Sequence, residues 1–264
     1  MCARQRLREV QQELTDSQPG ATSNPKKEDQ MKKLFVLPLL AAMILGGVLA
    51  VTAASTTDLS NANWRAYNVK PATNSFWDIN KAASATGGGV QIPIAQFLSK
   101  TTGSFAVYLL DNYNVKLTGR TITANVSWTP ATYETRSTDC SGAYVYLEFQ
   151  DVAAGPYDSN DYWWLQAGLD LNTLTSGTLT ASLTDTDRAL WMNQAGRLAT
   201  DTTENWTDWT GKTVAMSPYD GFTKAMKSVK QVGLSFGSAC TYASGVAIDD
   251  GVGTFTLSSF TILP

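Results

Sequence analysis

The chain has 264 residues with 20 Lys/Arg, 23 Asp/Glu and a net charge of −3, and it contains no histidine. Without histidine there is no Ser-His-Asp triad, no Cys-His nucleophile pair and no His-ligated zinc or copper. The mild negative charge argues against nucleic acid and anionic lipid as partners.

Residues 1–30 are polar and carry no apolar periodicity that could build a core. They end in KKEDQ before Met31. Codons for Lys-Glu-Asp accommodate a purine-rich ribosome-binding sequence, so translation is expected to start at Met31. Residues 1–30 are then an upstream extension or a disordered leader. Residues 31–54 read MKKLFVLPLLAAMILGGVLAVTAA. Two lysines, an apolar run and small closing residues make a secretory signal peptide. The competing reading is a membrane anchor, because the run approaches the roughly 20 residues that a span needs. No basic stop-transfer cluster follows, which favours cleavage and a secreted protein without stable membrane insertion.

Residues 55–264 are then expected to form one monomeric domain. Beyond residue 54 the chain carries 13 Lys/Arg and 18 Asp/Glu, net −5. Its two cysteines are Cys140 and Cys240. In an oxidising compartment they are expected to pair, the alternative being two buried thiols.

Short alternating segments separated by Gly, Asn, Asp and Pro give an all-β pattern. Strands are expected at 104–110, 121–129, 144–150, 162–171, 178–184 and 229–237, with a last one in GTFTLSSFTIL. In that strand Phe255 and Leu257 are in phase with each other, but Phe260 and Ile262 are in the opposite phase. The Ser258-Ser259 pair is therefore the expected site of a β-bulge or a change of sheet. The connection 186–200 is read as a loop, and 218–230 as a loop holding one short helical turn. One apolar face per strand implies two packed antiparallel sheets, a β-sandwich, with a jelly roll the favoured topology.

Adjacent tryptophans in DYWWLQAGL sharpen the reading. Period two sends Trp163, Leu165, Ala167, Leu169 and Leu171 to the core and Tyr162, Trp164 and Gln166 to the other face. In 144–150, Val145, Leu147 and Phe149 face the core, leaving Tyr144, Tyr146, Glu148 and Gln150 outside. The short turn-rich link between the two strands makes them antiparallel neighbours. Their outer faces would merge into one patch of aromatic rings interleaved with amides and a carboxylate. Rings pack against the C–H faces of a sugar, and polar groups meet its hydroxyls. Cross-strand aromatics also stabilise sheets without binding anything, and a long loop could cover such a face. Trp206 and Trp209 in ENWTDWTG form a second candidate platform, or plug the end of the core, as Trp191 is expected to do.

The stretch VKQVGLSFGSACTYASGVAIDDGVGTFTLSSFTI, with WTGKTVAMSPYDGF before it, resembles the closing strands of secreted jelly-roll carbohydrate-binding modules of the galactose-binding-like kind. The resemblance implies a β-sandwich, polysaccharide binding and often a structural calcium. No calcium signature is present, and Asp249-Asp250 in DDG fit a turn as well as oxygen ligands.

Three functions remain open on this reading. The first is a secreted, non-catalytic, cofactor-free carbohydrate-binding protein. The second is a small jelly-roll glycoside hydrolase with Glu148 as one catalytic carboxylate, a chemistry that needs two. The third is a structural cell-surface module. The only other glutamates beyond residue 54 are Glu134 and Glu204, with Asp170 as an in-sheet partner.

Overall fold

Period-two alternation is realised most cleanly in Thr121–Trp128, where Ile122, Ala124, Val126 and Trp128 are buried and the residues between them are not. The structure is a computed structural model that describes residues 55–56, 64–69, 76–78, 84–85, 90–93, 104–110, 114–135, 140–151, 158–208, 210–248 and 253–264. The leader and signal-peptide expectations, Trp209, and Asp249 with Asp250 lie outside the described residues. Thr52–Pro264 forms one compact unit. Among the described residues no helix is long and apolar enough to cross a membrane.

In chain order the elements are β1 (Ser55–Thr56), β2 (Trp64–Val69), β3 (Phe76–Asp78), β4 (Ser84–Ala85), β5 (Val90–Pro93), β6 (Ser104–Leu110), β7 (Thr121–Trp128), β8 (Tyr133–Thr135), β9 (Tyr144–Gln150), β10 (Tyr162–Leu165), β11 (Leu169–Asp170), β12 (Ser176–Ser182), β13 (Trp191–Asn193), β14 (Trp206–Thr207), β15 (Thr213–Val214), α1 (Pro218–Lys227), β16 (Gln231–Gly237), β17 (Val246–Ile248) and β18 (Thr254–Leu263). One sheet runs β12-β7-β18-β5-β4, with β1 on β18. The other runs β13-β10-β9-β16-β6-β17-β8, with β11 on β9 and β2 with β3 joined to β6. The strand pairs are antiparallel. The chain passes repeatedly between the sheets, as in a jelly roll, and the fold is an all-β, two-sheet antiparallel sandwich.

The core lies between the inner faces. Trp128 stacks on Phe255 at 6.2 Å, and Phe236 meets Phe255 edge-on at 5.0 Å. β18 keeps both of its phases buried because its register against β7 shifts between Leu257 and Ser259, at the Ser258-Ser259 pair. The bulge moves Phe260 and Ile262 onto the same core as Phe255 and Leu257.

Three expectations are corrected. Residues 162–171 are not one strand: β10 stops at Leu165, and Ala167, expected in the core, is exposed. Between the pairs Trp164↔Glu148 and Leu169↔Val145 the segment 165–168 stands against 146–147, so the extra residues bulge out of the sheet before β11 rejoins it. Gly168 fits there because a Cβ would collide with the Tyr146 ring. Residues 218–227 form a full helix, not a single turn. Ser217 caps it, its Oγ accepting from the Asp220 N–H at 3.1 Å, and Pro218 opens it. The helix lays Phe222, Ala225 and Met226 on the core. The connection 186–200 contains β13, and Trp191 within it is fully buried, edge-on to Phe149 at 5.1 Å.

A ribbon of aromatic rings on the outer sheet face

β9 and β10 are antiparallel neighbours, with Trp164 opposite Glu148 and Tyr162 opposite Gln150. Period two then fixes the two tryptophans. Trp163 enters the core, edge-on to Phe222 at 4.9 Å, and its Nε1 donates to the Asn160 carbonyl at 2.6 Å. Trp164 faces the other way. Register across the sheet puts Arg65, Leu109, Gly233, Glu148, Trp164 and Met192 in one outer row.

That face is covered. β8 ends with Thr135 opposite Val246, and β9 begins with Tyr144 opposite Gly237. The line formed by β16 and β17 therefore breaks after Gly237 and resumes at Val246, and β9 begins at the same level as that break. The Cys140–Cys240 disulfide ties 238–245 to the chain just before β9. The 238–245 excursion folds back as a flap. The Tyr146 hydroxyl donates to the Ser238 carbonyl at 2.8 Å, and the Ser235 hydroxyl to the Tyr242 carbonyl at 3.0 Å. Gly237 is required at the fold: a Cβ there would overlap the Thr241 and Tyr242 backbone. Ala243 packs with Leu109 and Tyr67 on the outer face.

The flap completes a ribbon of five rings. Tyr162 stacks on Trp164 (6.0 Å, 8°), and Trp164 on Tyr242 (6.0 Å, 20°). Tyr242 meets Tyr146 edge-on at 4.8 Å, and Tyr146 leans on Tyr144 at 5.9 Å. Trp164 and Tyr146 are only 5% and 2% exposed, whereas Tyr144, Tyr162 and Tyr242 are half-buried. The four rings expected from sequence are thus brought together, without Gln166, and the two middle ones lie beneath the flap. Tyr242 belongs with them and was missed, because nothing in the sequence signals that chain 238–245 returns over the sheet.

Beneath the ribbon Glu148 is 1% exposed. Its Oε1 accepts from Gln150 Nε2 at 2.5 Å, and its Oε2 from Trp164 Nε1 at 3.1 Å. Burial pushes its carboxyl up to about 7 from 4.5, against the opposing effect of the hydrogen bonds from Gln150 and Trp164. Gln150 and Gln231 face each other across β9 and β16, both buried.

Other expected members lie elsewhere. Gln166 has left the sheet and donates from Nε2 to the Ala189 carbonyl at 2.8 Å. Trp206 is buried in the β14-β15 hairpin, its Nε1 donating to the Met216 carbonyl at 3.0 Å and its ring under Arg197 at 4.8 Å. That is packing, not an exposed platform. The carboxylates proposed as partners for Glu148 are not brought beside it. Asp170 is opposite Tyr144, about 13 Å along the strand from Glu148 at roughly 3.3 Å per residue. Glu134, opposite Ala247, lies further still, past the flap. Glu204 is exposed in the connection before β14. Glycoside hydrolysis needs its two carboxyl groups within about 5–9.5 Å. Among the described residues no cluster of three or more His, Cys, Asp or Glu is placed to hold a metal.

Glu148 carries a testable stability signature. Its folded-state proton is held more tightly than the unfolded one, so its contribution is most favourable below pH 4.5. That contribution falls as pH rises to 7. A shift of this size corresponds to about 3 kcal/mol. Asp151 is raised to about 6 by burial, despite Lys224 at 3.4 Å, and adds a slope of the same sign. Comparison with Glu148→Gln isolates the first group. Gln150 can turn its amide to accept from the new one, so the variant is expected to fold and to lose the larger part of the decline. Urea midpoints from pH 4 to 8 read this directly. Parallel curves for the two proteins would show that Glu148 does not titrate in this range.

No family model matches the chain, and no curated protein matches it. Among solved structures the chain is similar to a structure of the empty capsid of Triatoma virus, with 10% identity, 94% of this chain and 91% of that chain covered, and a TM-score of 0.16. A score that low bears on neither fold nor function.

Proposed function

We propose that the protein is a secreted, non-catalytic carbohydrate-binding module whose ligand rests on the aromatic ribbon of the outer sheet face. The observation that carries this reading is the near-parallel stack Tyr162–Trp164–Tyr242, with Glu148 hydrogen-bonded to its central ring. Tyr144, Tyr162 and Tyr242 offer partly open rings to the C–H face of a sugar. The distance from Glu148 to Asp170 favours binding over hydrolysis.

Tyr162→Ala tests the reading with little risk to the core, since the ring is half-buried on the outer face. Retention on an insoluble or gel-immobilised polysaccharide is expected to weaken by about tenfold, the equivalent of one lost ring contact. Trp206→Ala removes an equally aromatic but buried residue, and is expected to lower stability while leaving retention intact. Equal retention by parent and Tyr162→Ala would remove the ribbon as the site. The burial of Trp164 and Tyr146 favours a second reading, in which the ribbon is a small outer core of a structural cell-surface module. On that reading neither variant changes retention, because there is none.

A further inference from the structure

The opposite sheet ends in β12, Ser176–Ser182, whose neighbour among the described residues is β7 alone. The pairing runs without interruption from Ser176↔Ser127 to Ser182↔Thr121. Leu179 and Ala181 are buried in the core, and Thr178 and Thr180 are exposed. A free strand edge displays unpaired N–H and C=O groups, and natural sheets usually blunt it with charge, proline or a bulge. None of these is present: from Leu171 to Thr184 the chain carries no charged residue and no proline. Leu174, just before the strand, is 42% exposed.

The sequence of this edge is SGTLTAS, which reads nearly the same in both directions about Leu179. Two antiparallel copies related by a two-fold axis at Leu179 would place Ser176 opposite Ser182, Gly177 opposite Ala181 and Thr178 opposite Thr180. Identical residues meet in two of these pairs and two small residues in the third, and threonine and serine cross-strand pairs are favourable. The register also keeps core-facing residues opposite core-facing residues, which a one-residue slip would not. The outer face beside it is uncharged as well. Thr121 meets Ser182 at 3.3 Å, Thr123 meets Thr180 at 3.4 Å, and Thr178 donates to Asn125 at 2.7 Å. Two copies would therefore approach without charge repulsion.

We infer that β12 is a self-association edge, at which a second copy of this chain pairs isologously through Ser176–Ser182 and continues the sheet across a two-fold axis. This replaces the monomer expected from the sequence and is independent of any ligand on the other sheet.

Sedimentation velocity of the full chain as expressed, with concentration varied over the micromolar range, tests it. The parent is expected to reach twice the monomer mass. Thr178→Lys with Thr180→Lys sets lysine opposite lysine across the axis, and Thr178→Glu with Thr180→Glu does the same with glutamate. Each variant is expected to weaken dimerisation by about tenfold or more while melting like the parent, because both positions are exposed. An equimolar mixture of the two variants is expected to recover the dimer, since each lysine then faces a glutamate. Association through any retained apolar leader would persist in both variants. A parent that stays monomeric, a lysine variant that dimerises like the parent, or a mixture that fails to associate would each overturn the inference.

Discussion

Replacing both Cys140 and Cys240 by serine is expected to lower the stability of the protein by up to about 4.7 kcal/mol, the chain-entropy value for a loop of this length. The cysteines are 100 residues apart, so the bridge removes a large share of the unfolded chain's freedom. In the folded state it ties Cys140, shortly before β9, to Cys240 in the flap. The flap keeps its own anchors, from Tyr146 to the Ser238 carbonyl and from Ser235 to the Tyr242 carbonyl. The variant is therefore expected to fold, with Tyr242 still over Trp164, but to unfold at lower urea. Reductant should shift the parent to the variant's midpoint and leave the variant unmoved. A parent indifferent to reductant would mean that the bridge contributes nothing to stability.

Trp163→Ala is expected to cost about 3–5 kcal/mol. The ring is fully buried against Phe222, and its removal also leaves the Asn160 carbonyl without its donor. The neighbouring Trp164→Ala is expected to cost less, about 1–3 kcal/mol. It removes an outer-face ring and one hydrogen bond to Glu148, whose carboxylate keeps Gln150 as a partner. The two substitutions are chemically identical and adjacent in sequence, so urea unfolding of both isolates the effect of strand face. If Trp164→Ala proved the more damaging, the outer ribbon and not the sandwich interior would be the protein's principal core.

Much of this was legible before any coordinates. Alternation in TITANVSWT and YVYLEFQ located two central strands and their inner faces, because one buried face per strand leaves a period-two trace. The phase change in TLSSFTI marked the bulge for the same reason. Pairing of β9 with β10 followed from a short turn-rich link, but the register did not: the sequence reading sets Trp164 beside Tyr146, whereas the ladder sets it opposite Glu148. The flap was not legible. It lies between β16 and β17 and is held by a disulfide to a position 100 residues away, which is not a property of any local pattern. The break after Leu165 was hidden for a similar reason: it is a register mismatch against β9, four residues 165–168 facing 146–147. Trp206 looked like a loop platform because its burial depends on a hairpin of two-residue strands and an arginine from another segment.

The central claim is that the outer aromatic ribbon binds carbohydrate without cleaving it. Its most direct test is the intrinsic tryptophan fluorescence of the protein titrated with a panel of soluble plant and microbial polysaccharides, with reducing ends assayed in the same samples. Trp164, stacked between Tyr162 and Tyr242, is the reporter. The account predicts a saturable shift for at least one polysaccharide, no release of reducing ends, and a weakened shift in Tyr162→Ala. A flat signal across the panel would contradict binding, and a shift accompanied by reducing-end release would contradict the non-catalytic assignment.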